Sequence, residues 1–466
     1  MSEENKTVEG VSAQAIGAAT VSEAPESVAA PVAPKPAAAE SDADNARDEA
    51  AEPGSANAKP EVADPASDGL AAKPAPISAK AEVEAPVIRR QSLALRTGAC
   101  DMRVGVGAAE RIGTDLRGTV GKPRAALVVS GEDVSAELVE SVRRSLVDVG
   151  FAVTHTMLPS GRAARPLEVA TGLYRELDAA GINADDAMVA VGDANVISAC
   201  VFAASTWCGG CALAAVPTTL DGMVDIPVTP RALDVPNGPA LVLARGNVRL
   251  LVCDLAAANL SASNEGNLMG RAVMVAGAVT AGERSFSELA LHADAVLSGE
   301  ADGLTEELLE LTKARARTAS SSAVAIRQGL AYGRDFARAL RACLPSGDPC
   351  APTDATLLAE GLRISARLAA AHQAPETDLV ELVFAQDALL DKLGLAEVPC
   401  DIAPQKLVEA FTCTGLRHSN RLMPALPLGY GRVRLTAVDD EMLLQHLTGW
   451  CRARRKLKRR LEREAR

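Results

Sequence analysis

Aromatic residues are scarce in this 466-residue chain, which has two Trp, three Tyr and six Phe. That scarcity argues against the stacked aromatic platforms that hold single-stranded nucleic acid. Hydrophobic residues still make up 48% of the composition, so a core must be packed from Ala, Val and Leu. No basic, apolar and small-residue segments follow one another at the start in the manner of a secretory leader, and the ten cysteines are scattered. A disulfide framework is therefore not expected, and the reducing cytoplasm is. Residues 195–220 carry no charge, a run long enough to raise the question of a membrane span. Gly209-Gly210 divides it and Pro217 closes it, so the expectation is a buried helix followed by a buried strand, with no span.

Charge is concentrated at the two ends. Residues 1–88 hold 16 Asp/Glu against 6 Lys/Arg, while residues 451–466 hold nine Lys/Arg against two Glu. The first stretch is rich in Ala, Pro, Glu and Ser, too poor in apolar surface to offset the entropy of ordering, and reads as a disordered acidic tail. The second reads as a basic C-terminal tail. Between them no basic face is evident, and no nucleic acid partner is expected.

From residue 89 short apolar runs alternate with helical periodicity. Strands are expected at 92–95, 125–129, 151–154, 187–191 and within 241–252, with helices at 134–149 and 167–180. This rhythm implies an α/β domain with a parallel sheet over residues 89–253. After Asp254 the pattern turns helical, at 268–281, 285–297, 304–314, 323–344, 355–373 and 376–393, which predicts an all-α domain over 254–450.

Three segments carry more specific information. Val189-Ala190-Val191-Gly192-Asp193-Ala194-Asn195 is a buried strand that ends in a turn and opens a helix. Val216-Pro217-Thr218-Thr219-Leu220 is followed by Asp225 and, six residues later, by Arg231. Arg327-Gln328-Gly329-Leu330-Ala331-Tyr332-Gly333-Arg334-Asp335-Phe336-Ala337-Arg338-Ala339 lies in a helical region. In order and spacing these resemble the 3-dehydroquinate synthase family over roughly residues 90–450. The resemblance implies a dinucleotide-binding-like α/β domain followed by a helical one, an enzyme that uses NAD with zinc or cobalt, and a sugar-phosphate or other anionic small-molecule ligand. It also implies a homodimer. By position it assigns Gly192, Thr218, Thr219 and Asp225 to the cofactor, and Asp225, Arg231 and Arg327 to catalysis.

The departures from the family pattern are equally specific. Of the glycine-rich turn only Gly192 remains, and Asp193 puts a carboxylate where phosphate oxygens would lie. Pro227 and Pro230 enter a turn that the family builds from glycine. The three positions matching the family's metal ligands are Val273, Arg334 and Asp354. A guanidinium stays protonated and cannot ligate zinc, so no metal ligand set is assigned.

Trp207-Cys208-Gly209-Gly210-Cys211 has the spacing of a redox pair, but it follows a helix and precedes a strand, which favours a tight turn of small residues. Arg334 and Arg338 lie one helical turn apart and read either as an anion site or as a solvated face. Two functional readings follow. In the first the fold has lost its NAD- and zinc-dependent chemistry and acts as a binding or regulatory protein with a small-molecule or protein partner. In the second it is an active 3-dehydroquinate synthase or related sugar-phosphate cyclase, with a site rebuilt from Asp225, Arg231, Arg327, Asp354 and Glu360.

Overall fold

The computed structural model describes residues 87–244, 246, 248–345, 351–372 and 379–464. The acidic tail expected over 1–88 lies outside the described residues except for its last two positions. The chain enters a hairpin of β1 (Arg89–Leu95) and β2 (Gly98–Gly105), then α1 (Ile112–Val120), β3 (Ala125–Gly131), α2 (Ala136–Asp148), β4 (Ala152–Leu158), α3 (Leu167–Ala179) and β5 (Ala187–Gly192). It continues with α4 (Ala194–Thr206), β6 (Ala212–Pro217), α5 (Leu220–Val224), a small hairpin of β7 (Leu233–Val235) and β8 (Gly238–Val242), and β9 (Leu250–Asp254).

Seven strands form one sheet in the order β1-β2-β9-β6-β5-β3-β4. All neighbours are parallel except β1 with β2. The central strands read as continuous apolar runs because both faces are covered. Leu127, Val129, Met188, Ala190, Leu213 and Ala215 pack on one face. Their alternates Ala126, Val128, Val189, Val191, Ala214 and Val216 pack on the other. The hairpin partner β2 was absent from the sequence expectation although buried Cys100, Met102 and Val104 alternate with Asp101 and Arg103 at strand period; the two charged residues pair with each other at 2.7 Å.

The charge-free stretch resolves into α4, a short 3-10 turn over Trp207–Gly209, and β6. Among the described residues no helix is long and apolar enough to cross a membrane.

The second half is helical: α6 (Glu265–Ala281), α7 (Glu283–Leu291), α8 (Ala293–Ser298), α9 (Ala301–Ser320), α10 (Val324–Arg327), α11 (Arg334–Cys343), α12 (Asp354–His372), α13 (Leu379–Lys392) and α14 (Pro404–His418). A two-stranded ribbon of β10 (Ala425–Pro427) and β11 (Val433–Leu435) precedes the last helix, α15 (Asp440–Glu464), which runs unbroken through residue 451. The helix expected over 323–344 is broken in two. Gly333 sits at φ 75, ahead of α11, a conformation that costs a side-chain-bearing residue energy. A Cβ on Gly361 would lie 2.0 Å from the Gly333 carbonyl oxygen, so two glycines let α11 and α12 approach backbone to backbone. That contact fixes where α11 presents its arginines.

Candidate functional site

In parallel α/β sheets ligands gather outside the carboxyl ends of the strands, and here three carboxylate clusters lie beyond those ends. The first follows β5. Asp193 is the N-cap of α4, and its Oδ1 accepts from the backbone N–H of Asn195 at 2.7 Å and of Val196 at 2.9 Å. Its Oδ2 accepts from the N–H of Gly161 at 2.6 Å, in the turn after β4. Capping by Asp is favourable because it satisfies donors that the helix leaves open. Those same amides are the ones a dinucleotide pyrophosphate would need, and they already serve a carboxylate. The turn therefore does not fit that group. Thr218, next in the cluster, donates its backbone N–H to the Gly192 carbonyl at 2.9 Å.

The second cluster lies around α5. Asp221 is fully buried and accepts from Thr219 Oγ1 at 2.6 Å and from its neighbour Gly222 N–H at 2.8 Å. The Arg231 guanidinium bonds its other oxygen directly and reaches Asn195 Oδ1 at 3.0 Å. Burial pushes the Asp221 carboxyl up to about 6, against the opposing pull of Arg231. One turn later Asp225 is equally buried. It is held by Thr229, by Arg315 on α9 and by Arg334, whose Nη2 lies 3.1 and 2.9 Å from its two oxygens. Burial alone would raise this carboxyl, but Arg334 and Arg315 outweigh it and hold Asp225 at about 2. Asp225 is thus a fixed anion between two fixed cations.

The third cluster centres on Asp354, at the start of α12. Arg162 Nη2 lies 2.6 Å from its Oδ1, Arg341 Nε donates to the same oxygen at 2.9 Å, and Arg165 Nη1 donates to Oδ2 at 3.2 Å. Against the effect of burial, these guanidiniums keep the carboxyl below its usual range.

Of the residues assigned from the resemblance, the structure brings Gly192, Thr218, Thr219, Asp225 and Arg231 to this end of the sheet. Arg327 stands elsewhere, with its Nη1 donating to the carbonyls of Ser321 and Ser322 beyond α9. Glu360 also faces away. It is fully buried and accepts from Trp450 Nε1 at 2.8 Å, from Arg454 Nε at 3.0 Å and from the Val398 N–H at 2.9 Å, which ties α15 to α12. Arg338 pairs with Asp335 on its own helix. Among the described residues no group of three or more His, Cys, Asp or Glu is arranged to hold a metal ion. Val273 offers no donor, Arg334 is a cation, and Asp354 is shared by three guanidiniums. This donor set does not fit zinc or cobalt.

Sequence reasoning missed Asp221, Arg315, Arg162, Arg165 and Arg341. One signal was available for Arg315. Leu304, Leu308 and Leu311 mark a buried stripe on α9, and Arg315 continues it at helical spacing, where a charge needs a buried partner.

The 3-dehydroquinate synthase N-terminal family model matches residues 155–262. The 3-dehydroquinate synthase of Pelobacter propionicus is 28% identical over 321 residues, covering 68% of this chain and 87% of that protein. Among solved structures, 2-deoxy-scyllo-inosose synthase, complexed with carbaglucose-6-phosphate, NAD+ and Co2+, superposes with a TM-score of 0.64 at 19% identity and covers 77% of this chain and 99% of its own. The 2-epi-5-epi-valiolone synthase of Streptomyces hygroscopicus subsp. jinggangensis, with NAD+ and Zn2+ bound, gives 0.64 at 16% identity and covers 76% and 97%. At such identities the structural likeness establishes the fold. The family model thus spans the turns that build the site, and the similarity to a 3-dehydroquinate synthase extends over most of that protein's length.

Proposed function

We propose that this chain keeps the family fold without the usual NAD- and zinc-dependent phosphate elimination and cyclisation, and acts in the cytoplasm as a binding or regulatory protein for an anionic small molecule or a protein partner. A homodimer, free of nucleic acid, is the proposed state. The observation that carries this reading is the pairing of Arg334 with Asp225. A guanidinium occupies a position that matches a metal ligand of the family, and it neutralises a carboxylate that would otherwise serve substrate or cofactor. Asp193 on the pyrophosphate-side amides supports the same reading independently.

A second reading is favoured by the alignment with curated synthases over most of their length and by Asp221, a buried carboxyl near 6 beside Arg231. In it the chain is an active 3-dehydroquinate synthase or related sugar-phosphate cyclase, a carbon–oxygen lyase of the shikimate route to aromatic amino acids, with a rearranged site. Elemental analysis and NAD calorimetry on protein purified without chelator separate the two. The first reading expects neither zinc nor cobalt and no heat of NAD binding. Stoichiometric metal with micromolar NAD affinity, followed by turnover of the heptulosonate phosphate, overturns it.

A further inference from the structure

The last helix runs on past the fold that anchors it. Arg454 is bonded to Glu360 and Glu397, and Arg455 pairs with Asp401 at 2.6 Å. From Lys456 to Glu464 no side chain of α15 makes a hydrogen bond or ion pair outside the helix among the described residues. At about 1.5 Å per residue this arm carries the helix about 14 Å beyond its last anchor. Its two faces differ. Leu457 and Leu461 continue the line of Trp450 and Arg454, on the side that is buried further up the helix. The opposite face bears Arg452, Lys456, Arg459 and Arg463, all exposed. Their spacing of four, three and four residues puts them within about 60° of one another, in a ridge about 17 Å long. Lys458 and Arg460 flank it. Against these six cations the arm has only Glu462 and Glu464, the latter 3.9 Å from Arg460, and no other carboxylate among the described residues pairs with any of the six. The excess is four positive charges.

We propose that this ridge docks the protein on an anionic phospholipid surface. A lipid surface asks only for charge, and each Lys or Arg brought to it strengthens binding about fivefold. Residues 452–464 contain no Asn, Gln, Ser or Thr to read base edges and no aromatic ring to stack on a base, so the arm offers nucleic acid nothing beyond phosphate contacts. The whole chain has a net charge of −12. The reach of the arm exceeds the screening length of about 8 Å at physiological salt, which keeps much of that repulsion from the contact. The ridge lies outside the cleft, and the inference is independent of both functional readings above.

The test is co-sedimentation of the full chain with phosphatidylcholine vesicles, with and without about one-third phosphatidylglycerol. The protein pellets with the anionic vesicles alone and is released at about 0.5 M salt. Equal sedimentation with both kinds of vesicle, or with neither, overturns the proposal. The double variant Arg459→Gln, Arg463→Gln partitions roughly thirtyfold less, with an unchanged thermal melt because both side chains are exposed. Undiminished partitioning of that variant refutes the ridge. Leu461→Ser binds as the parent does; a loss as large as that of the double variant shows that the leucine face meets the lipid instead. Duplex DNA at equal phosphate concentration leaves the protein on the vesicles, and displacement by it assigns the ridge to nucleic acid and rejects the lipid.

Discussion

Arg334 Nη2 lies 2.9 Å from Asp225 Oδ2, and the same carboxylate is gripped from the opposite helix by Arg315, a side chain that is 3% exposed. The two arginines do not contribute equally. Arg334 is partly solvated, whereas Arg315 has been taken out of water and depends on Asp225 for its counter-ion. Asp225→Asn is expected to destabilise the fold by about 3–5 kcal/mol, the cost of a buried charge left unpaired. Arg334→Gln costs distinctly less. Urea midpoints of the two variants check the order, and equal losses contradict it.

The pH dependence of stability separates Asp225 from Asp221. The folded Asp225 carboxyl, at about 2, lies below its ordinary 3.8. Its stabilisation is present above 3.8 and is lost as pH falls through 2, by roughly 2 kcal/mol. Asp221 has the opposite sign. Its carboxyl is raised to about 6, so its contribution is present below 3.8 and is lost as pH rises through 6. Melting profiles from pH 2 to 8 are expected to flatten at the acid end in Asp225→Asn and between 4 and 6 in Asp221→Asn.

Asp193 gives a test by capping. Asp193→Ala removes the acceptor for two α4 amides and the Gly161 amide, with an expected loss of about 1 kcal/mol, whereas Asp193→Gly costs a few tenths. Thermal melts of both variants check this. A Gly variant no more stable than the Ala variant rules out capping as the main role.

Glu360 predicts the behaviour of the last helix. Glu360→Gln leaves Arg454, which is 4% exposed, without its full counter-charge and loosens α15. Limited trypsin digestion is expected to cut at Arg452 to Arg455 faster in the variant than in the parent, before the core opens.

The parallel sheet was legible because its strands are buried on both faces, and Ala187 to Val191 can hardly be read otherwise. The Pro217-Thr218-Thr219 turn and Asp193 were also legible, since a turn after a buried strand has few places to go. What escaped was long-range pairing. Nothing local to Arg315, Arg162 or Arg165 names its acceptor, because Asp225 is 90 residues from Arg315 and Asp354 is 189 residues from Arg165. The break at Gly333 escaped for a related reason. Helical periodicity continues through it, and only the approach of Gly361 forces the chain to turn there. Arg327 was placed by alignment alone, and its side chain caps a neighbouring loop.

The bond between Glu360 and Arg454 spans 94 residues, and this separation bears on how the protein is made. On the ribosome, the segment holding Glu360 emerges well before α15 has been translated. Until α15 has emerged, that carboxylate has neither Arg454 nor Trp450 as a partner. The α12–α15 contact therefore forms only once α15 has emerged, and a nascent chain stalled before residue 450 is expected to remain protease-sensitive in α12 while the sheet is already protected.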